Sequence, residues 1–316
     1  MLSPVLLMIF GFILLGAGAE IMVTSSSKLA LRLGVTPLIV GLTVVAFGTS
    51  SPELAVSIKA AASDSSALAL GNVIGSNIAN IGLILGLTAI IYPIKIEKQL
   101  VRKQIPLLIF ASILMGFLLI DDQLDYSDGL ILVCGLLAYL VYNYKQAGLE
   151  FDAEELEFHK KENTREGGAI TLNAILVVIG IILLVFGSQV FVDNAVTIAR
   201  LAGISEAVVG LPLVAVGTSV PELATSLIAA WRKQADIAIG NVIGSNMFNI
   251  LCVLGITALL APVLGDQFTL LDFAIMGLFS LILLPLAWTG LKLSRMEGLF
   301  LLSGYAVYLA FISQQG

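Results

Sequence analysis

The sequence has little charge, a single histidine and only two cysteines. Charged residues make up 12% of its 316 residues, whereas hydrophobic residues make up 58%. This balance is far from that of a water-soluble domain and is typical of a chain that lies mostly within a lipid bilayer. We therefore predict an integral membrane protein of the all-α polytopic class.

The scarcity of metal-binding and basic side chains argues against several kinds of site. Cys134 and Cys252 lie in separate apolar runs, where a small buried thiol is the expected state, and His159 lies in an acidic segment. The spacing therefore supports neither a zinc site nor a Ser/His or Cys/His catalytic set. The net charge of −6 comes largely from acidic residues between Glu150 and Glu166, so it does not indicate nucleic-acid binding. We expect no cofactor and no obligatory protein partner.

Apolar runs separated by charged or turn-forming residues predict ten membrane-spanning helices. The first run carries Glu20 and lacks the positively charged start of a signal peptide, so we interpret it as a helix rather than a cleaved leader. The chain then divides into a five-helix unit at 1–142, an acidic loop at 143–168 and a second five-helix unit at 169–316. The predicted helices are Pro4–Ser27, Pro37–Ala62, Leu68–Tyr92, Gln104–Ile120, Tyr126–Tyr144, Ala169–Val196, Glu206–Ala230, Asp236–Leu260, Phe268–Trp288 and Glu297–Ile312.

Basic residues indicate the orientation, because short cytoplasmic loops carry the excess of lysine and arginine. Alternate predicted loops hold nearly all of these residues, and the opposite loops hold only Lys59 and Arg200. This distribution predicts that both termini lie outside the cell and the acidic loop lies in the cytoplasm. We interpret the acidic loop as a solvated linker. A sensor of divalent cations is the alternative, although the loop has no EF-hand pattern.

An internal repeat organises the sequence. A single constant shift aligns Gly18–Pro93 with Gly187–Pro262 without a gap, and we call this shift, which takes Gly18 to Gly187, the repeat offset. Each copy has an odd number of predicted helices, so the second copy must cross the membrane in the opposite direction. Two inverted halves with broken helices at matching positions are the architecture of a secondary transporter, whose site lies near the membrane midplane. The predicted fold is thus two inverted five-helix repeats.

A proline must interrupt the second helix of each repeat. Pro52 has no amide hydrogen to donate, and its ring disfavours helical geometry at Ser51. We expect a break between Thr49 and Ser51 that frees carbonyl oxygens near Ala46, Gly48 and Thr49. The equivalent stretch of the second repeat is Gly217-Thr218-Ser219-Val220-Pro221-Glu222.

A glutamate follows each break, Glu53 in the first repeat and Glu222 in the second. A carboxylate within a spanning helix costs roughly 2.5 to 3.5 kcal/mol on insertion scales. No basic residue lies at a matching depth, so the compensating charge is most simply a bound cation or a proton. Calcium takes about six to eight oxygen ligands, and two bidentate glutamates with two freed carbonyls would provide about six of them. Sodium accepts the same oxygens, whereas magnesium fits less well.

Polar side chains form one stripe on the helix after each break, at positions i, i+4 and i+8. Because the stripes occur on otherwise apolar helices, they are candidate ion ligands. Hydrogen bonding between helices is the alternative role for the asparagines. The stripes consist of Asn72, Ser76 and Asn80 in the first repeat and of Asn241, Ser245 and Asn249 in the second.

The segments Gly48-Thr49-Ser50-Ser51-Pro52-Glu53 and Gly71-Asn72-Val73-Ile74-Gly75-Ser76-Asn77, with their copies, resemble the paired alpha repeats of sodium/calcium exchangers. The resemblance, which is to prokaryotic members of the family, implies a location in the inner (plasma) membrane of a prokaryotic cell. It also implies ten helices, with helices 2, 3, 7 and 8 around four cation positions and helices 1 and 6 sliding across them. It implies that calcium is held by Glu53, Glu222 and the carbonyls of Thr49 and Thr218. The residues implied for sodium are Ala46, Ser50, Ser76, Asn80, Ala215, Ser219, Ser245 and Asn249.

The expected function is therefore sodium-driven calcium antiport, in which both ions are transported rather than held as cofactors. A proton-coupled exchanger, in which protonated glutamates replace bound sodium, is the alternative. A channel fits less well because no selectivity ring is evident, and a hydrolase built on two carboxylates lacks a water-activating metal motif. We expect no enzymatic activity. Asn249 stands where some relatives, including potassium-dependent exchangers, have an aspartate, which predicts exchange without potassium.

Overall fold

The computed structural model describes residues 2–63, 66–147, 170–201, 217–266 and 268–312, and it is dominated by helices. The helices of the first half are α1 (Leu2–Leu33), α2 (Pro37–Val40), α3 (Ala46–Thr49), α4 (Ser51–Ala62), α5 (Ala67–Ala79), α6 (Gly86–Ile91), α7 (Ile105–Leu118) and α8 (Tyr126–Ala147). The helices of the second half are α9 (Ile170–Leu201), α10 (Val220–Trp231), α11 (Ala235–Phe248), α12 (Gly255–Leu260), α13 (Leu270–Trp288) and α14 (Arg295–Ile312).

Short π-helical segments widen several of these helices. One joins α5 to α6 and another joins α11 to α12, and both begin at an asparagine of the predicted polar stripes. Such widened turns are frequent at functional sites because they interrupt the regular ladder of backbone hydrogen bonds. The π segments in the described residues are Gly41–Val45, Asn80–Leu85, Leu100–Gln104 and Asn249–Leu254; a 3₁₀ turn, Thr289–Leu291, follows α13.

Within the described residues, eight helices are long and apolar enough to cross a membrane, and the bent pair Pro37–Thr49 and Ser51–Ala62 gives a ninth span. This confirms a polytopic helical membrane protein. The fourth span begins at Leu100 rather than at Gln104 and so includes Arg102. A long basic side chain at a helix end can reach water while its stem stays in lipid, which periodicity does not reveal. The predicted helix Glu206–Ala230 is described only from its break onward, because residues 202–216 lie outside the described part.

Two spans form the centre of the molecule. The most apolar window of Ala67–Ile91 is 72% buried by protein and that of Ala235–Leu260 is 89% buried, whereas that of Ile170–Leu201 is only 28% buried. The predicted polar stripes lie on the two central spans, and all six of their residues are buried. Their polar atoms therefore contact protein rather than lipid.

Helices α1 and α9 cross in an antiparallel sense with their backbones in contact. A Cβ atom on Gly18 would lie 2.8 Å from the Leu184 backbone nitrogen, and one on Gly11 would lie 2.9 Å from the Gly187 carbonyl oxygen. Gly180 and Gly187 are the equivalents of Gly11 and Gly18 at the repeat offset. Small residues at such positions let two helices approach closely in lipid. The two repeats thus meet through matching glycines.

Two short antiparallel strand pairs also join the halves. Strand β1 (Ile94–Lys95) pairs with β4 (Lys292–Leu293), and β2 (Gln123–Leu124) pairs with β3 (Val263–Leu264). Ile94 lies opposite Leu293, and Val263 lies opposite Leu124. The repeat offset takes position 94 to position 263 and position 124 to position 293, so the two pairs are equivalent under the sequence repeat.

Candidate functional site

The second helix breaks where its proline predicts. Helix α3 ends at Thr49 and α4 begins at Ser51, with a bend of 43° between the two halves of the span. Ser50 at the bend has φ −82° and ψ 7°, and Ser219 has nearly the same angles, φ −87° and ψ 6°. Ser50 and Ser219 therefore have the same backbone conformation, immediately before the helices that carry the glutamates.

The Ala46 carbonyl oxygen is hydrogen-bonded at the bend, whereas we expected it to be free. It accepts hydrogen bonds from the Ser50 N–H at 2.9 Å and from Thr49 Oγ1 at 3.2 Å. The prediction of a free carbonyl at Ala46 is wrong because Pro52 removes a donor only for the carbonyl four residues before it, which lies beyond Ala46. Ala215, the equivalent residue of the second repeat, lies outside the described residues.

Glu53 and Glu222 are completely buried, and each is bonded by a serine of the other repeat. Ser50 Oγ donates to Glu222 Oε1 at 3.0 Å, and Ser219 Oγ donates to Glu53 Oε1 at 3.4 Å. Ser245 Oγ also donates to Glu222 Oε1, at 3.4 Å. The crossed serine bonds therefore bring both acids to one region between the repeats.

Two asparagines, Asn72 and Asn241, each form hydrogen bonds both within their own repeat and to the other repeat. Asn72 Nδ2 donates to the Glu53 carbonyl at 3.3 Å and to Ser57 Oγ at 3.2 Å. Asn72 Oδ1 accepts from Thr218 Oγ1 at 3.2 Å. The amide thus ties the glutamate of its own repeat to the threonine at the other repeat's bend. Asn241 has the equivalent partners: the Glu222 carbonyl at 3.4 Å, Ser226 Oγ at 3.1 Å and Thr49 Oγ1 at 3.0 Å.

A second amide cluster lies where the central spans widen. Asn80 Nδ2 donates to Asn246 Oδ1 at 2.8 Å, and Asn249 Nδ2 donates to Asn77 Oδ1 at 3.1 Å. Asn246 Nδ2 donates to the Asn77 carbonyl at 3.2 Å. The asparagines therefore do bond between helices, which was the alternative to ion binding. Asn80 and Asn249 do so through their nitrogens. Our sequence analysis assigned no role to Asn77, Asn246, Ser57 or Ser226; their identity in both repeats is the signal that could have found them.

Five buried oxygen atoms of this region have no hydrogen-bond partner among the described residues. Each is an acceptor, and removing an acceptor from water without a partner costs free energy. Hard cations such as calcium and sodium bind oxygen ligands of these types, so the atoms are suited to a cation. They are Glu53 Oε2, Glu222 Oε2, Ser76 Oγ, Asn80 Oδ1 and Asn249 Oδ1.

Sequence comparisons match this chain along nearly its whole length. The profile of a family described as "Sodium/calcium exchanger protein" matches residues 3–145 and 172–314, and the repeat offset relates the two matched ranges. The chain is 37% identical over 317 residues to inner membrane protein YrbG of Escherichia coli K12, covering 99% of this chain and 97% of the relative. It is 32% identical over 344 residues to sodium/calcium exchanger MaX1 of Methanosarcina acetivorans, covering 97% of each.

A solved structure has the same fold. The sodium-calcium exchanger NCX_Mj, soaked with 2.5 mM Na⁺ and 0.1 mM Ca²⁺, matches with a TM-score of 0.84 and 32% sequence identity. The match covers 98% of this chain and 98% of the other. The likeness therefore includes both halves of the chain.

Proposed function

Because the chain belongs to the sodium/calcium exchanger family, we propose that it is a secondary active antiporter that exchanges sodium for calcium across the membrane by alternating access. The observation that carries this proposal is the complete burial of two carboxylates between the repeats, together with three further buried oxygens. One oxygen of each carboxylate and all three further oxygens have no hydrogen-bond partner within the described ranges. Two negative charges there need a cation, and no carboxylate of the site is paired with a basic side chain in the described residues.

Calcium is assigned to Glu53 and Glu222 together with the backbone carbonyls of Thr49 and Thr218. One Ca²⁺ balances the charge of both glutamates, and two Na⁺ do the same. Because both ions use the same carboxylates, they compete for the site, and this competition is the basis of exchange. The Ala46 carbonyl is left out because its oxygen already accepts the Ser50 N–H. Sodium is assigned to the same two glutamates and, in addition, to Ser50, Ser76, Asn80, Ser219, Ser245 and Asn249.

The proposed architecture is ten spans in two inverted five-helix repeats, 1–142 and 169–316, joined by the acidic loop 143–168. The equivalent helices α1 and α9 run antiparallel, which supports inversion. The strands support it independently. One span, Leu100–Leu118, separates β1 from β2, so these strands lie at opposite ends of the molecule. Strand β3, the equivalent of β1, pairs with β2 and thus lies at the end opposite β1.

Both termini are placed outside the cell and the acidic loop in the cytoplasm, on the charge distribution. In a background with Cys134 and Cys252 replaced by alanine, we expect Asp121→Cys to react with a membrane-impermeant maleimide in intact cells. Glu155→Cys is expected to react only after the cells are permeabilised. Labelling of detergent-solubilised protein at both sites is the control. The reverse pattern in intact cells would overturn the orientation while leaving the inverted repeats in place.

Exchange is expected to proceed without potassium. Glu53 and Glu222 supply two charges, which one Ca²⁺ balances, and no third carboxylate lies between Gly240 and Leu260. A co-bound K⁺ would leave excess positive charge in a region of low dielectric. Asn249 offers a neutral amide oxygen, which holds a monovalent cation less strongly than a carboxylate does.

Purified protein in liposomes tests both the coupling ion and the potassium prediction. We expect an inward or outward sodium gradient to drive calcium flux in the opposite direction, with the flux unchanged when choline replaces potassium on both sides. Loss of flux in choline would contradict the interpretation of Asn249. Calcium flux that is independent of sodium and is driven by an imposed pH gradient would show that the exchanger is coupled to protons rather than to sodium.

A further inference from the structure

A cavity of about 430 Å³ lies where the start of the fourth span meets the end of α13. We call it the Trp288 pocket; it is lined by Lys98, Val101, Arg102, Trp288, Gly290 and Leu291. Val101, Leu291 and the Trp288 ring form apolar walls. Lys98 and Arg102 are four residues apart, so their side chains share one face of the helix. None of these residues belongs to the proposed cation site.

The Trp288 pocket lies at the ends of two spans, where the headgroups of a bilayer would be. The span Leu100–Leu118 begins two residues after Lys98, and the span Leu270–Leu291 ends at a residue of the pocket wall. Tryptophan is enriched at this boundary because its ring is amphipathic, and lysine and arginine extend their charged ends towards it. A lipid whose headgroup enters the cavity would keep its acyl chains beside the apolar walls.

Three further basic residues lie next to the cavity. The pairing of β1 with β4 places Lys95 directly opposite Lys292, and like charges at such positions destabilise the pair. The Ile96 N–H donates to the Leu291 carbonyl at 2.9 Å, which holds this strand pair against the pocket wall. Arg295 follows at the start of α14. Five basic residues therefore gather at one end of the molecule.

Nearby carboxylates balance this charge only in part. Asp236 interacts with Lys95. Glu297 accepts hydrogen bonds from Thr289 Oγ1 at 2.9 Å and from the Ser294 N–H at 2.6 Å. Glu97 adds a third acid. In the described part of the chain, neither Asp236 nor Glu297 forms an ion pair with Lys98 or Arg102.

The equivalent positions of the other repeat, at the opposite end of the molecule, lack this group of basic residues. At the repeat offset, none of the five cations has a basic equivalent, and Trp288 corresponds to Leu119. Two residues of the pocket, Gly290 and Leu291, correspond to Asp121 and Asp122. The general excess of cations in cytoplasmic loops explains the sign of the charge. This general excess does not explain why the basic residues lie beside a cavity that has a tryptophan in its wall. The equivalents of the basic residues are Leu264, Gln267, Leu271, Gln123 and Tyr126.

We propose that the Trp288 pocket binds the headgroup of an anionic glycerophospholipid from the surrounding leaflet. Lys98 and Arg102 bind its phosphate, and the Trp288 ring packs against its glycerol. Basic pockets between spans on the cytoplasmic side are suited to anionic headgroups. The bound phosphate also reduces the repulsion between Lys95 and Lys292, and so stabilises the strand pair that joins the two repeats.

Fluorescence of Trp288 tests the proposal in the full-length protein. Trp231→Phe leaves Trp288 as the sole tryptophan. The protein is placed in phosphatidylcholine vesicles that contain either brominated phosphatidylglycerol or brominated phosphatidylcholine at the same mole fraction. We expect quenching of Trp288 at much lower mole fractions of brominated phosphatidylglycerol. The double variant Lys98→Gln/Arg102→Gln should lower this preference by about tenfold or more, since each surface cation contributes about fivefold.

The matched control is Lys28→Gln/Lys145→Gln, which removes two exposed cations from the same predicted side but outside the cavity. It should keep the preference for phosphatidylglycerol. Equal quenching by both brominated lipids would overturn the proposal, and so would an equal loss in the control variant, because the effect would then come from the leaflet's general charge. Relief of quenching by soluble glycerol phosphate would identify a free phosphate as the occupant and overturn the lipid assignment.

Discussion

Replacing Glu53 or Glu222 by glutamine should abolish sodium-dependent calcium uptake while leaving folded protein in the membrane. Each replacement removes a charge and a bidentate ligand from a site that is completely buried. Removing one partner of a buried ionic contact costs about 3 to 5 kcal/mol, which corresponds to a loss in calcium affinity of about a hundredfold or more. Uptake of radioactive calcium by proteoliposomes with a sodium gradient measures the effect.

The thermal unfolding of the same variants separates a lost site from a lost fold. Glutamine keeps the size of glutamate and removes a completely buried charge, which is costly inside a membrane when no cation is bound. The ion-free variant should therefore unfold at no lower a temperature than the ion-free parent. The parent should unfold at a higher temperature when calcium is added, because a ligand that binds only the folded state stabilises it. Either variant should lose this calcium-dependent increase.

Asp266→Asn is the matched control, since it removes an exposed carboxylate. It should retain both uptake and the calcium-dependent increase in unfolding temperature. Near-normal exchange in Glu53→Gln or in Glu222→Gln would contradict the assignment of these residues to calcium.

Gly18→Ala should strongly reduce exchange without removing ion binding. The added Cβ atom would lie 2.8 Å from the Leu184 backbone nitrogen and 2.9 Å from the Gly180 carbonyl oxygen, so α1 and α9 would have to separate. Overpacking of this kind costs typically about 1 to 3 kcal/mol. If α1 and α9 move as one unit across the site, the variant should lose calcium uptake by about tenfold or more.

Gly16→Ala is the control on the same helix, because a Cβ atom there would meet no atom within 4 Å. We expect it to exchange at nearly the parental rate. Gly18→Ala should still show a calcium-dependent increase in unfolding temperature, since its contacts lie outside the cation site. Equal exchange by the two alanine variants would show that transport does not depend on close contact between α1 and α9.

Sequence reasoning went furthest where a single residue type has a strong local effect. Pro52 lacks a donor, so the bend after Thr49 could be placed from the sequence, and the structure confirms it. A buried carboxylate is costly enough in a membrane that Glu53 stands out without any knowledge of its neighbours. The repeat was equally accessible, because the constant shift between its two copies is a property of the chain itself.

Reasoning from single residues failed where the structure depended on which N–H group bonds which carbonyl. The expectation of a free Ala46 carbonyl treated the whole bend as unbonded, whereas the Ser50 N–H still reaches it. The widened turns that begin at Asn80 and Asn249 were not predicted either. Hydrophobic periodicity is nearly the same for an α-helix and for one that contains a single π turn, so it cannot locate them.

The sequence by itself determined which residues lie on one face, where the helices break and that two similar halves exist. Only the tertiary structure decided which polar atoms meet across the repeats. The bond from Thr218 to Asn72 and the bond from Asn80 to Asn246 join residues 146 and 166 positions apart. Many buried polar side chains of a membrane protein are bonded by residues of another helix, and periodicity specifies the face of a helix but not the neighbour that covers it.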